Sequence, residues 1–257
     1  SMTANGADNE TLKQMEHVLG GDITIDELNE YLYTYVNNLP NKDKSKLVIS
    51  NSIWFRDDGK RFQVEQPFLQ KNADYYGAEV YKSPFDAQTL KDVNNWVKNK
   101  TDGMIDKILD EISEDALMYL INAIVFDAEW ETIYNKSSIS KREFTNIDGS
   151  KVNVDMMASE EIKFIEDDNA KGFIKPYKNG DYSFVAILPN ESISINDYVN
   201  SLTGETFISL VERASNSGVK AFLPKFSYDY KITMNDALMD MGMVDAFGGQ
   251  ADFSKMG

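Results

Sequence analysis

The chain has 257 residues, of which 42% are hydrophobic and 12% aromatic, a composition that excludes a disordered segment and allows one large domain or two ordinary ones. Its formal net charge of −16 opposes nucleic acid and anionic membranes as partners, because both attract clustered Lys and Arg. Cysteine is absent, which removes disulfides, thiolate metal sites and a cysteine nucleophile, and no apolar run reaches the roughly 18 residues of a membrane span.

Ser1 to Ala7 holds turn-formers, and Asp8-Asn9-Glu10 then opens a helical pattern with Leu12, Met15, Val18 and Leu19 on one side, stopped by Gly20-Gly21. A second helix starts near Thr24, with Asp26 and Glu27 complementing the dipole of its first turn and an apolar stripe of Ile25, Leu28, Leu32, Tyr35 and Val36. Lys46 to Phe55 reads as a strand closed by the turn Asp57-Asp58-Gly59. Val64 to Tyr76 is a short helix, Ala78 to Tyr81 a short strand, and Gln88 to Lys100 a helix carrying Leu90, Val93, Trp96 and Val97.

Ala116 to Trp130 organises the chain. Read with period two, Leu117, Tyr119, Ile121, Ala123 and Val125 share one face, and Met118, Leu120, Asn122, Ile124, Phe126 and Trp130 share the other. Two apolar faces predict a strand in the middle of a large, covered sheet. Asn122 in such a run is expected to be buried, and its amide must find hydrogen-bond partners, since leaving it unpaired costs about 1–3 kcal/mol.

Lys141 to Ile147 and Lys151 to Ile165 read as two strands about Asp148-Gly149, and Gly172 to Tyr177 pairs with Tyr182 to Pro189 about Asn179-Gly180. The arm Phe184 to Leu188 is apolar throughout and is expected to be buried. Helices follow at Ile195 to Leu202 and Glu205 to Ala214, strands at Val219 to Leu223 and Lys225 to Ile232, and a last helix at Met234 to Met241. No internal repeat or low-complexity linker divides the chain, which predicts one domain over residues 1–257 of α+β class.

Chemistry-bearing residues are few. His17 is the sole histidine, and a lone histidine on a helix is usually structural. The acidic clusters Asp57-Asp58, Glu160-Glu161 and Glu166-Asp167-Asp168 lack EF-hand spacing and read as solvated turns. The motif Gly-x-Ser-x-Gly is absent, so a hydrolase reading has no nucleophile elbow. The expectation is a non-enzyme with no catalytic, metal or cofactor residues.

Several stretches together resemble the serpin family of serine-protease inhibitors. They are Asn51-Ser52-Ile53-Trp54-Phe55, Asn95-Trp96-Val97 leading to Thr101-Asp102-Gly103-Met104-Ile105, Leu120 to Phe126 with Trp130, and Val154-Asp155-Met156-Met157. Pro176-Tyr177, Ile187-Leu188-Pro189, Leu223-Pro224-Lys225-Phe226, Met241-Gly242-Met243, Asp245-Ala246-Phe247 and Ala251-Asp252-Phe253-Ser254 continue the series in the family's order.

The resemblance implies a fold with a large central sheet, two further sheets and roughly nine helices, incomplete here at both ends. It also implies suicide inhibition: a protease cleaves an exposed reactive-centre loop, which then inserts as a new strand in the central sheet. Trp130 matches the tryptophan of the "breach" where that strand enters, and Asn122 matches the asparagine of the "shutter" lower in the sheet. The helix around Trp96 matches the one lying across the sheet, which must shift for a strand to enter. The reactive-site bond is unknown from this chain, which ends soon after Ala-Asp-Phe-Ser, and these 257 residues alone are expected to be inactive.

The implied partner is a trypsin-, elastase- or subtilisin-like serine protease, with no nucleic acid or membrane and a monomeric complete protein. A secreted or cell-surface location follows from the same resemblance, and a bacterial source is expected beside it. The alternative it leaves open is a non-inhibitory serpin acting as chaperone, carrier or storage protein.

Overall fold

Asp8 and Thr24 stand where the sequence places helix starts, and each accepts a backbone N–H of the first turn; Asp86 does the same just ahead of the start expected at Gln88. The computed structural model of the protein describes residues 1–57, 59 and 62–257, so Asp58 of the expected turn lies outside the described residues. The chain divides into two units, the first formed by residues 1–41, 47–126 and 231–257 and the second by residues 42–46 and 127–230.

In the first unit, α1 (Asn9–Gly20) ends at Gly21, whose φ of 62° needs the left-handed freedom of glycine. Thr24 and Glu27 form a reciprocal capping box at the start of α2 (Ile25–Asn37), satisfying two donors that the first turn would otherwise leave orphaned. Then come β1 (Ser45–Arg56), α3 (Gln66–Tyr76), β2 (Glu79–Ser83), α4 (Ala87–Lys100) and β3 (Met118–Ala128), the first two residues of β1 and the last two of β3 counting with the second unit. The sheet order is β2-β1-β3, with β1 and β2 parallel and Ser52 opposite Glu79. Val93, Trp96 and Val97 of α4 form one buried cluster with Trp54 of β1 and with Ile121 and Ala123 of β3. Trp54 stacks on Tyr81 of β2 with ring centroids 4.0 Å apart.

β3 corrects two expectations. The face with Ile121, Ala123 and Val125 is buried, whereas Ile124 and Phe126 on the other face are exposed and so is Asn122. The strand also lies at the rim of a three-stranded sheet rather than in the middle of a large one. Its two-sided apolar pattern states a demand for cover that, among the described residues, α4 meets on one side only.

In the second unit, β4 (Ile139–Thr145) and β5 (Lys151–Glu161) form the expected hairpin. The run to Ile165 is not one strand: it breaks at exposed Ile162, and β6 (Lys163–Glu166) joins a different sheet. β7 (Ala170–Pro176) and β8 (Ser183–Pro189) pair across a turn in which Asn179 and Gly180 both have positive φ. β8 is the edge of the β6-β7-β8 sheet and is half-buried, with Leu188 exposed, so its uniform apolar run does not mean burial.

α5 (Ile195–Ser201), α6 (Gly204–Glu212) and β9 (Val219–Pro224) follow, with β9 completing the antiparallel β4-β5-β9 sheet. The expected strand over Lys225 to Ile232 is absent: Phe226, Tyr228, Tyr230 and Ile232 are 57–77% exposed, because no described segment pairs beside them. α7 (Asn235–Asp240) belongs again to the first unit. The described residues thus hold three sheets and seven α-helices, an α+β arrangement.

Candidate functional site

Trp130 follows β3 and is held by backbone and ring together. It forms an antiparallel bridge with Tyr177, and hydrogen bonds from Glu131 to Pro176 and from Lys178 to Glu129 close the same junction. The indole stacks on Tyr177 at 4.4 Å and 9°, and meets Phe184 edge-on at 5.7 Å and Tyr134 at 6.5 Å. Burial pushes the Tyr177 phenol above its ordinary pKa.

Behind these rings lies Lys175, which the sequence reading passed over. Its ammonium sits 4.7 Å from the Tyr134 ring centre and 5.6 Å from that of Trp130, and it donates to Glu161 Oε1 at 2.6 Å. Alternation in β7 places Lys175 on the same side as buried Phe173, which is the signal that could have found it. A buried ammonium survives because a carboxylate neutralises it and two ring faces replace its lost water. A small cavity of about 190 Å³ opens beside Trp130, lined by Met157, Tyr177, Phe184, Leu223 and Pro224. This arrangement presents a rigid aromatic wall rather than an acid–base pair.

Asn122 finds the partner that its position in an apolar strand demanded, although not by burial. Its Nδ2 donates to Asn51 Oδ1 at 2.7 Å, and Asn51 Nδ2 donates to the Tyr76 carbonyl at 2.8 Å. Tyr76 continues the chain of contacts. Its hydroxyl donates to Asn29 Oδ1, while Asn29 Nδ2 donates to Asn5 at 2.8 Å and Asn5 Nδ2 reaches Asn72 at 3.2 Å.

Asn5, Asn29 and Asn72 are all buried, and desolvation pushes the Tyr76 phenol up to about 12, keeping it a neutral donor. The signal for this network is helical spacing: Asn29 lies four residues after Ile25, and Asn72 four after Phe68, each inside an apolar stripe. A cleft of about 460 Å³ adjoins it, lined among others by Leu32, Tyr33, Ile49, Asn51, Asn122 and Ile124. Asn122 belongs to the first unit and Trp130 to the second. His17 is exposed, and its Nδ1 lies 2.8 Å from Asp22 Oδ1 at the end of α1.

The family described as serpin (serine protease inhibitor) matches the chain over residues 1–257. The chain is a serpin. A serpin-like protein of Methanosarcina acetivorans is 29% identical over 232 residues, covering 88% of this serpin and 52% of that relative. The chain therefore spans about half the length of this curated relative. The thermophilic serpin tengpin, solved in a latent state, superposes with a TM-score of 0.95 at 56% identity, covering all of this chain and 70% of that one. Tengpin solved in its native state gives 0.94 at 56% identity, covering 99% of this chain and 66% of that one. The serpin fold expected from the motifs is thereby found.

Proposed function

We propose that this serpin is the body of a suicide inhibitor of serine proteases, which in its complete form traps the enzyme by inserting a reactive-centre loop into the central sheet. The observation that carries the reading is a family match over all 257 residues, together with 56% identity to a serpin solved in both native and latent states. A fold with two such states in a relative is what a loop-insertion mechanism requires.

Within this reading Trp130 is the breach residue and Asn122 the shutter residue, residues 1–257 belong to one serpin domain, and the chain contributes no catalytic group. The partner is a serine protease of trypsin, elastase or subtilisin type. The test is residual activity of each protease after incubation with the product of the complete reading frame. Stoichiometric, irreversible loss of one enzyme's activity is expected. Degradation of the protein by every enzyme with no loss of activity would remove the reading.

A further inference from the structure

We infer that Glu79 is the positioning residue that fastens α4 to the sheet, so that lifting this helix off β1 and β3 begins with the release of one carboxylate. The inference deepens the inhibitor reading and rests on it for its consequence, namely that α4 must yield when a strand enters.

Glu79 opens β2, the strand at the other rim of the sheet from β3. Its Oε2 accepts Trp96 Nε1 at 2.7 Å and the Tyr81 hydroxyl at 2.6 Å, and its Oε1 accepts Lys100 Nζ at 2.6 Å. Trp96 and Lys100 are one helical turn apart, so a single carboxylate grips two successive turns of α4, and the Lys100 ammonium lies 5.7 Å from the Trp96 ring centre. Charge-assisted hydrogen bonds of this length are directional, whereas the apolar contacts of Val93 and Val97 tolerate small slides.

α4 is also built to move as one piece with the segment after it. Asn94 accepts the N–H groups of Ile108 and Leu109 and donates to the Leu109 carbonyl, and Thr101 Oγ1 accepts the N–H of Ile105. A body tied together in this way and pinned to β2 through Glu79 detaches at the pin.

The test is segment-resolved hydrogen exchange of the protein and its Glu79→Gln variant. Exchange over residues 87–100 should accelerate roughly fivefold while residues 151–161 stay unchanged. Equal rates over 87–100, or equal acceleration in both segments, would overturn the latch. Trp96→Phe keeps the ring and removes one donor. It should accelerate the same segment about threefold, and it carries the test by the same rule if Glu79→Gln does not fold. Protease inhibition is scored separately. A loosened α4 with no inhibition by the product of the complete reading frame keeps the latch and removes the inhibitor reading, and inhibition by that product with unchanged α4 exchange does the reverse.

Discussion

Lys175 Nζ donates to Glu161 Oε1 at 2.6 Å with both side chains buried, 2% and 6% exposed. The pair links the end of β5 to β7, strands of two different sheets in the second unit, directly behind the Trp130 ring. Desolvating two charges consumes most of their attraction, so the bond is better read as fixing geometry than as adding stability.

Removing one partner strands the other. Lys175→Met leaves a buried carboxylate without its cation and should cost about 3–5 kcal/mol, whereas the double variant Lys175→Met, Glu161→Leu should recover most of that loss. Urea denaturation of the two proteins reads the difference. Equal stability of the single variant and the parent would show that the pair contributes nothing.

Glu79 gives the pH dependence. Hydrogen bonds from Lys100, Tyr81 and Trp96 lower its pKa from 4.5 to about 2. The folded value lies below the unfolded one, so this contribution is fully present above about pH 4.5 and is lost as pH falls toward 2. The side chain is 41% exposed, so solvent screening limits the effect to about 1 kcal/mol. Denaturation midpoints from pH 7 to 3 should fall less steeply in Glu79→Gln than in the parent, and parallel curves would contradict the assignment.

The asparagine network should show graded costs. Asn29→Ala removes the donor to buried Asn5 Oδ1 and the acceptor of the Tyr76 hydroxyl, and about 2–3 kcal/mol is expected. Asn122→Ala removes an exposed donor to Asn51, and water can replace it, so about 1 kcal/mol or less is expected. Thermal denaturation ranks the two, and a larger loss in Asn122→Ala would reverse the reading of where the network is buried.

Gly172 lies inside β7, where the strand offers no reason for glycine except close backbone approach. A Cβ built there would lie 2.1 Å from the Ala186 carbonyl oxygen on β8. Gly172→Ala should therefore cost at least about 3 kcal/mol, or prevent folding of the β7–β8 hairpin, as read by circular dichroism and soluble yield. A variant as stable as the parent would contradict the packing described for this pair.

Local grammar made much of this fold legible. The Asp8 and Thr24 caps, the Gly21 stop and the Asn179-Gly180 turn announce themselves through side-chain chemistry within a few residues. What escaped depends on neighbours distant in sequence. The apolar faces of β3 and the alternation from Phe226 to Ile232 reveal what those segments could bury against, but not whether a partner is present. Trp130 and Asn122 were singled out through motifs, whereas Lys175 and Glu79 went unnoticed because a charged residue in a strand usually faces water.

Suicide trapping is tested most directly by a denaturing gel of the complete protein incubated with trypsin-, elastase- and subtilisin-like enzymes. A covalent band at the combined mass of inhibitor and one protease, resistant to boiling in detergent, is the predicted result. Cleavage of the protein with no such band for any enzyme would contradict it.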